Sequence, residues 1–544
     1  MSIQNYRSGI AAIEPLVYIT DRDNELREPL EHFDTVQPDW DIDRAGSKGR
    51  VEITTYQDVL EDYMWIAPYQ RIIPETGDII EQQLGHFRLD RPSDATDGEM
   101  HRDGSYKVVQ EAVGADIVDD IAAVMLPWTF YTPRGGDILK DVRNLIKIAT
   151  MGMPGPNLVT NGGFEDDMAG WFSDNTAAGD DSTITRDQTS TDFPEGKRAL
   201  RIRTNAGATN SQYRRVYQTI DVPNTAQYLY LTGISYQFVT RNFDIMLQAR
   251  IVTPDGIVYM TADGYPRHRN GWVRHFGVIE LPDDWSNIQI GMRVRPTSGS
   301  SPLPVQSQVL WDDIRVGTCT QMPLPDSRIN LPGWGPLAST RIQTTVGDSI
   351  GYTAINEHRL GAIAHHALFT ELDGSLTTAP SRSLANATVV RQFGRDDFEL
   401  VGEVRTERAA RRPYNHFQAV KEDFTGENPT LYANAYNEDP LDRRSIHHAP
   451  LNSAPPIQAP DAVDQAALQA LADAARDRES ESETLQIRVL PGEALRAHDV
   501  IEITESENPR AIGRWLVEYI RPGMTPDDPL VEIGARRARS QEVS

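Results

Sequence analysis

The chain has 544 residues, more than one hydrophobic core usually supports, so about two to four domains are expected. Hydrophobic residues make up 39% and charged residues 24%, which excludes wholesale disorder, while 53 Lys plus Arg against 79 Asp plus Glu leave a net charge of −26 that disfavours sequence-specific nucleic-acid binding. A single cysteine, Cys319, excludes an intrachain disulfide and a multi-thiolate zinc site.

Taken in chain order, Arg50 to Tyr56 and Gly85 to Asp90 alternate apolar with polar residues, the period of half-buried strands, and the aromatic-rich stretch from Tyr63 to Pro74 suits a strand pair. Asp137 to Ile148 places Ile138, Val142, Leu145 and Ile146 on one helical stripe, with Asp137 at the positive end of the dipole. Pro and Gly then interrupt the chain at Met151 to Pro156, at Pro323 to Ser327 with Leu331 to Pro336, and at Ala449 to Pro460, all read as linkers. Between the first two lie the cleanest strand patterns: Leu200 and Ile202; Phe243, Ile245, Leu247, Ala249 and Ile251; Ile288, Ile290, Met292 and Val294. Each strand has one apolar face, so a second sheet must cover it, and a self-contained sandwich from Asn157 to Gly317 is expected. Further on, Ile355 to Phe369 reads helical, with strands at Phe398 to Val404, His416 to Val420, Leu431 to Tyr436, Leu485 to Leu490, Val500 to Thr504 and Gly513 to Ile520. Asp461 to Asp477 predicts a solvated helix bridging to the last strands. The opening residues lack a signal-peptide pattern and no apolar run reaches membrane-spanning length, so neither export by a leader nor membrane insertion is expected.

Catalytic patterns are thin. Gly347-Asp-Ser-Ile-Gly351 matches the nucleophile elbow of hydrolases, but with 39 glycines a chance match is cheap, and only generic partners such as Asp439 and His447 follow Ser349. The pairs His365-His366 and His447-His448 are sequence neighbours whose side chains diverge, so neither chelates a metal unaided.

Within the sandwich, Asn157 to Glu165, Gly170-Trp171, Gly196 to Leu200, Gly271-Trp272 and Trp311 to Ile314 together resemble jelly-roll carbohydrate-binding modules. That resemblance implies a structural calcium held by Glu165, the Lys197 carbonyl, and Asp312 or Asp313; the alternative is that these acids simply end strands. It also implies that Trp171 and Trp272 pack in the core. For a glycan, which needs rings to stack on and polar groups to bond, the candidates are Tyr236, Tyr265 and Trp285, with Gln248, Arg250, Arg293 and Arg295 on wet faces.

The two flanks resemble the tail hub, or baseplate hub, proteins of long-tailed bacteriophages, also called minor tail proteins. The motifs are Gly85 to Pro92, the helix after Pro133-Arg-Gly-Gly, Leu431 to Pro440 with Ser445-Ile446, and His498 to Ile503 before Gly513 to Ile520. The fold expected is mainly β with some α: a first hub β-barrel region over 1–110, an α+β connecting domain from 111–155 plus 337–385, and the inserted jelly roll over 156–318. A linker over 319–336, a second barrel region over 386–536 with a bridging helix at 461–480, and a disordered tail over 537–544 complete it. What the resemblance implies is a structural virion protein at the tail tip: a homotrimer that meets tail-tube, distal-tail and tip proteins and lines a conduit through which DNA passes. The inserted module would then sit outside, within reach of a host-surface polysaccharide. The alternative is a tail-associated polysaccharide hydrolase or lysin, with the sandwich as its targeting module.

Overall fold

In the computed structural model of the protein, the described residues run from 10 to 538, apart from 32, 42–48, 56–59, 75–77, 91, 101–105, 167, 176–197, 205–213, 238–242, 263–271, 297–306, 333–334, 381–383, 385–386, 395–399, 410–413, 423–429, 439–444, 480–481, 490–494, 497 and 524–529. The chain divides into two compact units, one of Met1–Ala123, Pro325–Asn330 and Ala364–Ser544, the other of Val124–Leu324 and Leu331–Ile363. The protein is mainly β, as its period-two patterns require.

In the first unit, strand Gly49–Thr55 buries Val51, Ile53 and Thr55 and exposes Arg50 and Glu52, the alternation of a sheet with one covered face. Strand Phe33–Asp41 pairs antiparallel with Gly513–Arg521, setting Trp40 opposite Ile520 and Asp41 opposite Tyr519. Beneath them one core combines Val36, Trp40, Ile53 and Phe87 from the N-terminal flank with Ile487, Ile503, Trp515 and Val517 from the C-terminal flank. Two stretches far apart in sequence thus bury their apolar faces against each other, which explains how a whole module can interrupt the chain between them.

Two hub barrels were expected; the strands instead form one open sheet of fifteen strands, running from Arg27–Pro29 to Leu400–Ala409. Closure needs the strand pairings to return on themselves, and among the described residues they form no ring in either flank. The stretch from Tyr63 to Pro74 forms one strand, Trp65–Pro74, rather than a pair. Nor is the helix near residue 470 a solvated bridge: Gln465–Glu479 lays Leu468, Ala472 and Ala475 on a three-stranded sheet through Phe417, Ala419, Ala433 and Ala435. Small side chains on both elements let helix and sheet approach closely, so the alanine-rich sequence encodes packing.

In the second unit, helix Ile138–Thr150 is capped by Asp137, whose carboxylate accepts from the Lys140 amide at 3.0 Å and from the Gly335 amide. Ile138, Val142, Leu145 and Ile146 are buried as their spacing predicts, but so are Asp141, Asn144 and Lys147. The helix is enclosed rather than half-exposed. The helix expected over Ile355 to Phe369 begins earlier, at Ile350, and ends at Leu360 in π-helical geometry; Phe369 enters a short strand instead.

The sandwich stacks a five-stranded sheet, in the order Phe172–Asn175, Arg214–Ile220, Asn287–Pro296, Phe243–Thr253 and Gly256–Thr261, on a four-stranded one of Leu200–Thr204, Ser307–Cys319, Tyr228–Gln237 and Trp272–Glu280. Leu247, Ala249, Ile251, Ile288, Ile290 and Met292 from the first interleave with Leu200, Leu229, Leu231, Trp311 and Val316 from the second. Its two ends lie together: the Gly155 amide donates to the Thr318 carbonyl and Leu158 to Val316, each at 2.7 Å. The far face of the four-stranded sheet is covered as well, with Trp128 stacked on Tyr230 at 5.1 Å. No helix among the described residues is long and apolar enough to cross a membrane.

Candidate functional site

Because side chains alternate across a strand, those of the five-stranded sheet that turn from the core form rows across it. The central row reads Phe172, Tyr217, Gly291, Gln248, Thr261. Beside it on one flank stand Thr219, Gln289, Arg250 and Tyr259, and on the other Arg215, Arg293 and Met246. Phe172 and Tyr217 form a tilted aromatic pair, 6.0 Å between centroids, at one edge; Tyr259, 54% exposed, stands at the other. Between these edges the Arg215 guanidinium lies 4.8 Å over the Tyr217 ring, and Gln289 Oε1 accepts from Arg215 at 3.3 Å and from Arg250 at 3.4 Å. Gln248 is 2% exposed, and its Nε2 has no hydrogen-bond partner among the described residues.

At Gly291 a Cβ would lie 2.9 Å from Arg215 Nε and 3.2 Å from Tyr217 Cβ, so the glycine leaves room for the Arg215 side chain that lies over it and any other residue would displace that arginine. Rings at the rim and polar groups between them are hardware that a saccharide requires.

Of the residues singled out from sequence, Gln248, Arg250 and Arg293 meet on this face; the side chain of Arg295 lies outside the described ones. Gln248 was expected to be wet and is buried. Tyr236 is elsewhere: on the four-stranded sheet it packs edge-on against Trp272 at 5.4 Å, beside Ile234 and Leu310. Trp285 rests against the sandwich core from a loop. Tyr265 lies outside the described residues. Trp171 and Trp272 are buried, in the packing role expected of them. Phe172, Tyr217, Tyr259, Arg215 and Gln289 were not anticipated; the alternation of Arg215, Tyr217 and Thr219 with Val216, Gln218 and Ile220 was the available signal.

The acids assigned to calcium have other partners. Asp313, fully buried, adopts φ 50° at a bulge, and its Oδ2 accepts from Arg274 at 3.0 Å while Oδ1 accepts from Arg315 at 2.7 Å. Arg274 also donates to Thr232 and to the Tyr131 carbonyl, and its guanidinium stacks over Phe130 at 4.2 Å. Asp312 Oδ1 accepts from the Asp313 amide, and Glu165 Oε1 from the Arg198 amide at 2.9 Å. Lys197 lies outside the described residues. Among those described, no three His, Cys, Asp or Glu gather to hold a metal, and a carboxylate clasped by two guanidinium groups does not fit a calcium ligand. Asp313 thus holds the strand bulge and its cover, which leaves Glu165, the Lys197 carbonyl and Asp312 as the donors expected for calcium.

Ser349 caps the helix that follows it, accepting from the Tyr352 amide at 3.1 Å, so its place in Gly347–Gly351 has a structural cause. Asp348 likewise accepts from Thr345, and Asp439 lies outside the described residues. His447 and His448 are exposed turn residues. Burial pushes the Cys319 thiol up to about 12, leaving it protonated and unreactive.

No family model and no curated protein matches the sequence. Across 97% of its length the chain is similar in structure to the tail protein from Neisseria meningitidis MC58, covering 98% of that chain at 8% identity with a TM-score of 0.45. It is similar over the same share to the 43 kDa tail protein of prophage MuSo2 from Shewanella oneidensis, covering 100% of it at 8% identity and a TM-score of 0.42. Over 30% of the chain it is similar to the C-terminal family 22 carbohydrate-binding module of Clostridium thermocellum Xyn10B, covering 98% of that module at 15% identity and a TM-score of 0.22.

Proposed function

We propose that the chain is a structural protein of a bacteriophage tail, a homotrimeric hub between tail tube and tip, whose inserted sandwich binds a host-surface glycan. The observation that carries the hub reading is the ordered set of hub-like motifs on both flanks, joined with the fact that those flanks close over one core through the Phe33–Asp41 and Gly513–Arg521 pair. In this role the chain would meet tail-tube, distal-tail and tip proteins, and its acidic character would let DNA pass without adhering. The glycan reading rests on the Phe172, Tyr217 and Tyr259 rings and the polar side chains of Gln248, Arg250 and Gln289 between them. Ser349 as a helix cap favours binding over hydrolysis.

The mass of the full chain by native mass spectrometry tests the assembly. Three copies are expected, alone or with tail neighbours; a monomer under every condition would refute the hub.

A further inference from the structure

We infer that the saccharide taken by this face is anionic, a polysaccharide whose repeat carries a carboxylate or phosphate, and that Gln248 and Arg250 receive the charged group. This rests on the glycan-binding reading above and supplies its class. The face is rich in donors. Gln248 presents an amide nitrogen that is buried with no acceptor among the described residues, and a buried donor left unmatched is costly until a ligand supplies an acceptor. Arg250 and Arg293 carry guanidinium groups, which only donate, and Gln289 Oε1 already accepts from two of the arginines. A neutral sugar hydroxyl both donates and accepts, so a face built for it would offer both kinds of group. Carboxylate and phosphate oxygens only accept, and they match guanidinium forks with short, charge-assisted bonds.

Charge points the same way. By register this face carries Arg215, Arg250 and Arg293, and no acid among its described side chains, a cationic excess on a chain of net charge −26. Such a protein repels polyanions generally, and this sheet face is a local exception. Arg250 stands opposite the exposed Tyr259, so a sugar ring resting on that tyrosine brings its charged substituent to Arg250.

The test is calorimetric titration of the full chain with oligogalacturonate, its methyl ester, a glycerol-phosphate oligomer and the neutral xylohexaose, for the wild type and for Arg250→Gln and Arg250→Lys. One of the two anionic probes should bind about tenfold or more tighter than xylohexaose and the ester, and which one it is identifies carboxylate or phosphate as the group. Arg250→Gln should lose about tenfold of that affinity and Arg250→Lys less, while the melting curves coincide. Wild-type binding should also weaken with NaCl, a readout that needs no variant. Equal affinity for galacturonate and its ester, or an Arg250→Gln protein that binds as before, overturns the anionic class and leaves the glycan reading standing. Failure to bind any of the four probes overturns both.

Discussion

At the scale of single residues, the most consequential group is Asp313. Its carboxylate is enclosed with Arg274, itself 1% exposed at its side chain, and with Arg315. Burying charge is costly unless each member is paired, and removing one member leaves the others without compensation. Asp313→Asn should therefore destabilise the second unit by about 3–5 kcal/mol, seen as a lower midpoint in thermal or urea unfolding. An unchanged midpoint would mean that the pair contributes nothing to folding. Such an acid reads identically in sequence whether it binds calcium or arginine, because Arg274 comes from another strand and reaches it only through the pairing of both strands with Tyr228–Gln237; Arg315, two residues on, is the one local partner.

At the scale of elements, alternation made the sandwich legible. Phe243 to Ile251 and Ile288 to Val294 form the strands expected, with Ile245, Leu247, Ala249, Ile251, Ile288, Ile290, Met292 and Val294 inward. What alternation leaves open is which outward face is free. Gln248 and Tyr236 both turn from the core, yet one stands in the middle of the candidate face and the other packs against Trp272. Tyr217 joins the site only because Arg214–Ile220 pairs with Asn287–Pro296, a choice of neighbour that no local pattern encodes. The open sheet was hidden for the same reason: strand existence is local, closure is not.

The elements around His86 and His366 set a pH dependence. Burial, with the Arg328 charge beside it, lowers His86 to about 3, and burial with His365 and Arg536 nearby lowers His366 to about 4. Arg328 can only donate, so His86 Nδ1 accepts at 3.2 Å and the proton sits on Nε2, facing Thr20 Oγ1 and the Asp21 carbonyl. Both rings are neutral in the folded chain near neutral pH, whereas the unfolded chain takes up protons below about 6.5. Their contribution is intact above that pH and falls by about 1.4 kcal/mol per pH unit per histidine between 6.5 and about 4. Urea midpoints at pH 7 and pH 5 should show the lower value at pH 5, with a shallower drop in His366→Leu. Asp120, which burial raises to about 6, acts with the opposite sign in the same window, so the deciding comparison is between the two proteins: a drop as steep in His366→Leu as in the wild type contradicts the neutral histidine.

At the scale of the whole molecule, the chain reads as a β-rich host whose flanks close over one core and whose insertion carries a separate face suited to a ligand. The two proposed tasks, holding an assembly and meeting a glycan, rest on residues that share no core cluster, so substitutions in one core are expected to leave the other intact. The central claim is that this chain is built into a phage tail. The most direct test is immunogold electron microscopy of purified tailed particles with antibody raised against the full chain. The account predicts gold at the distal end of the tail; particles that carry no label, with the chain left free in the lysate, would contradict it.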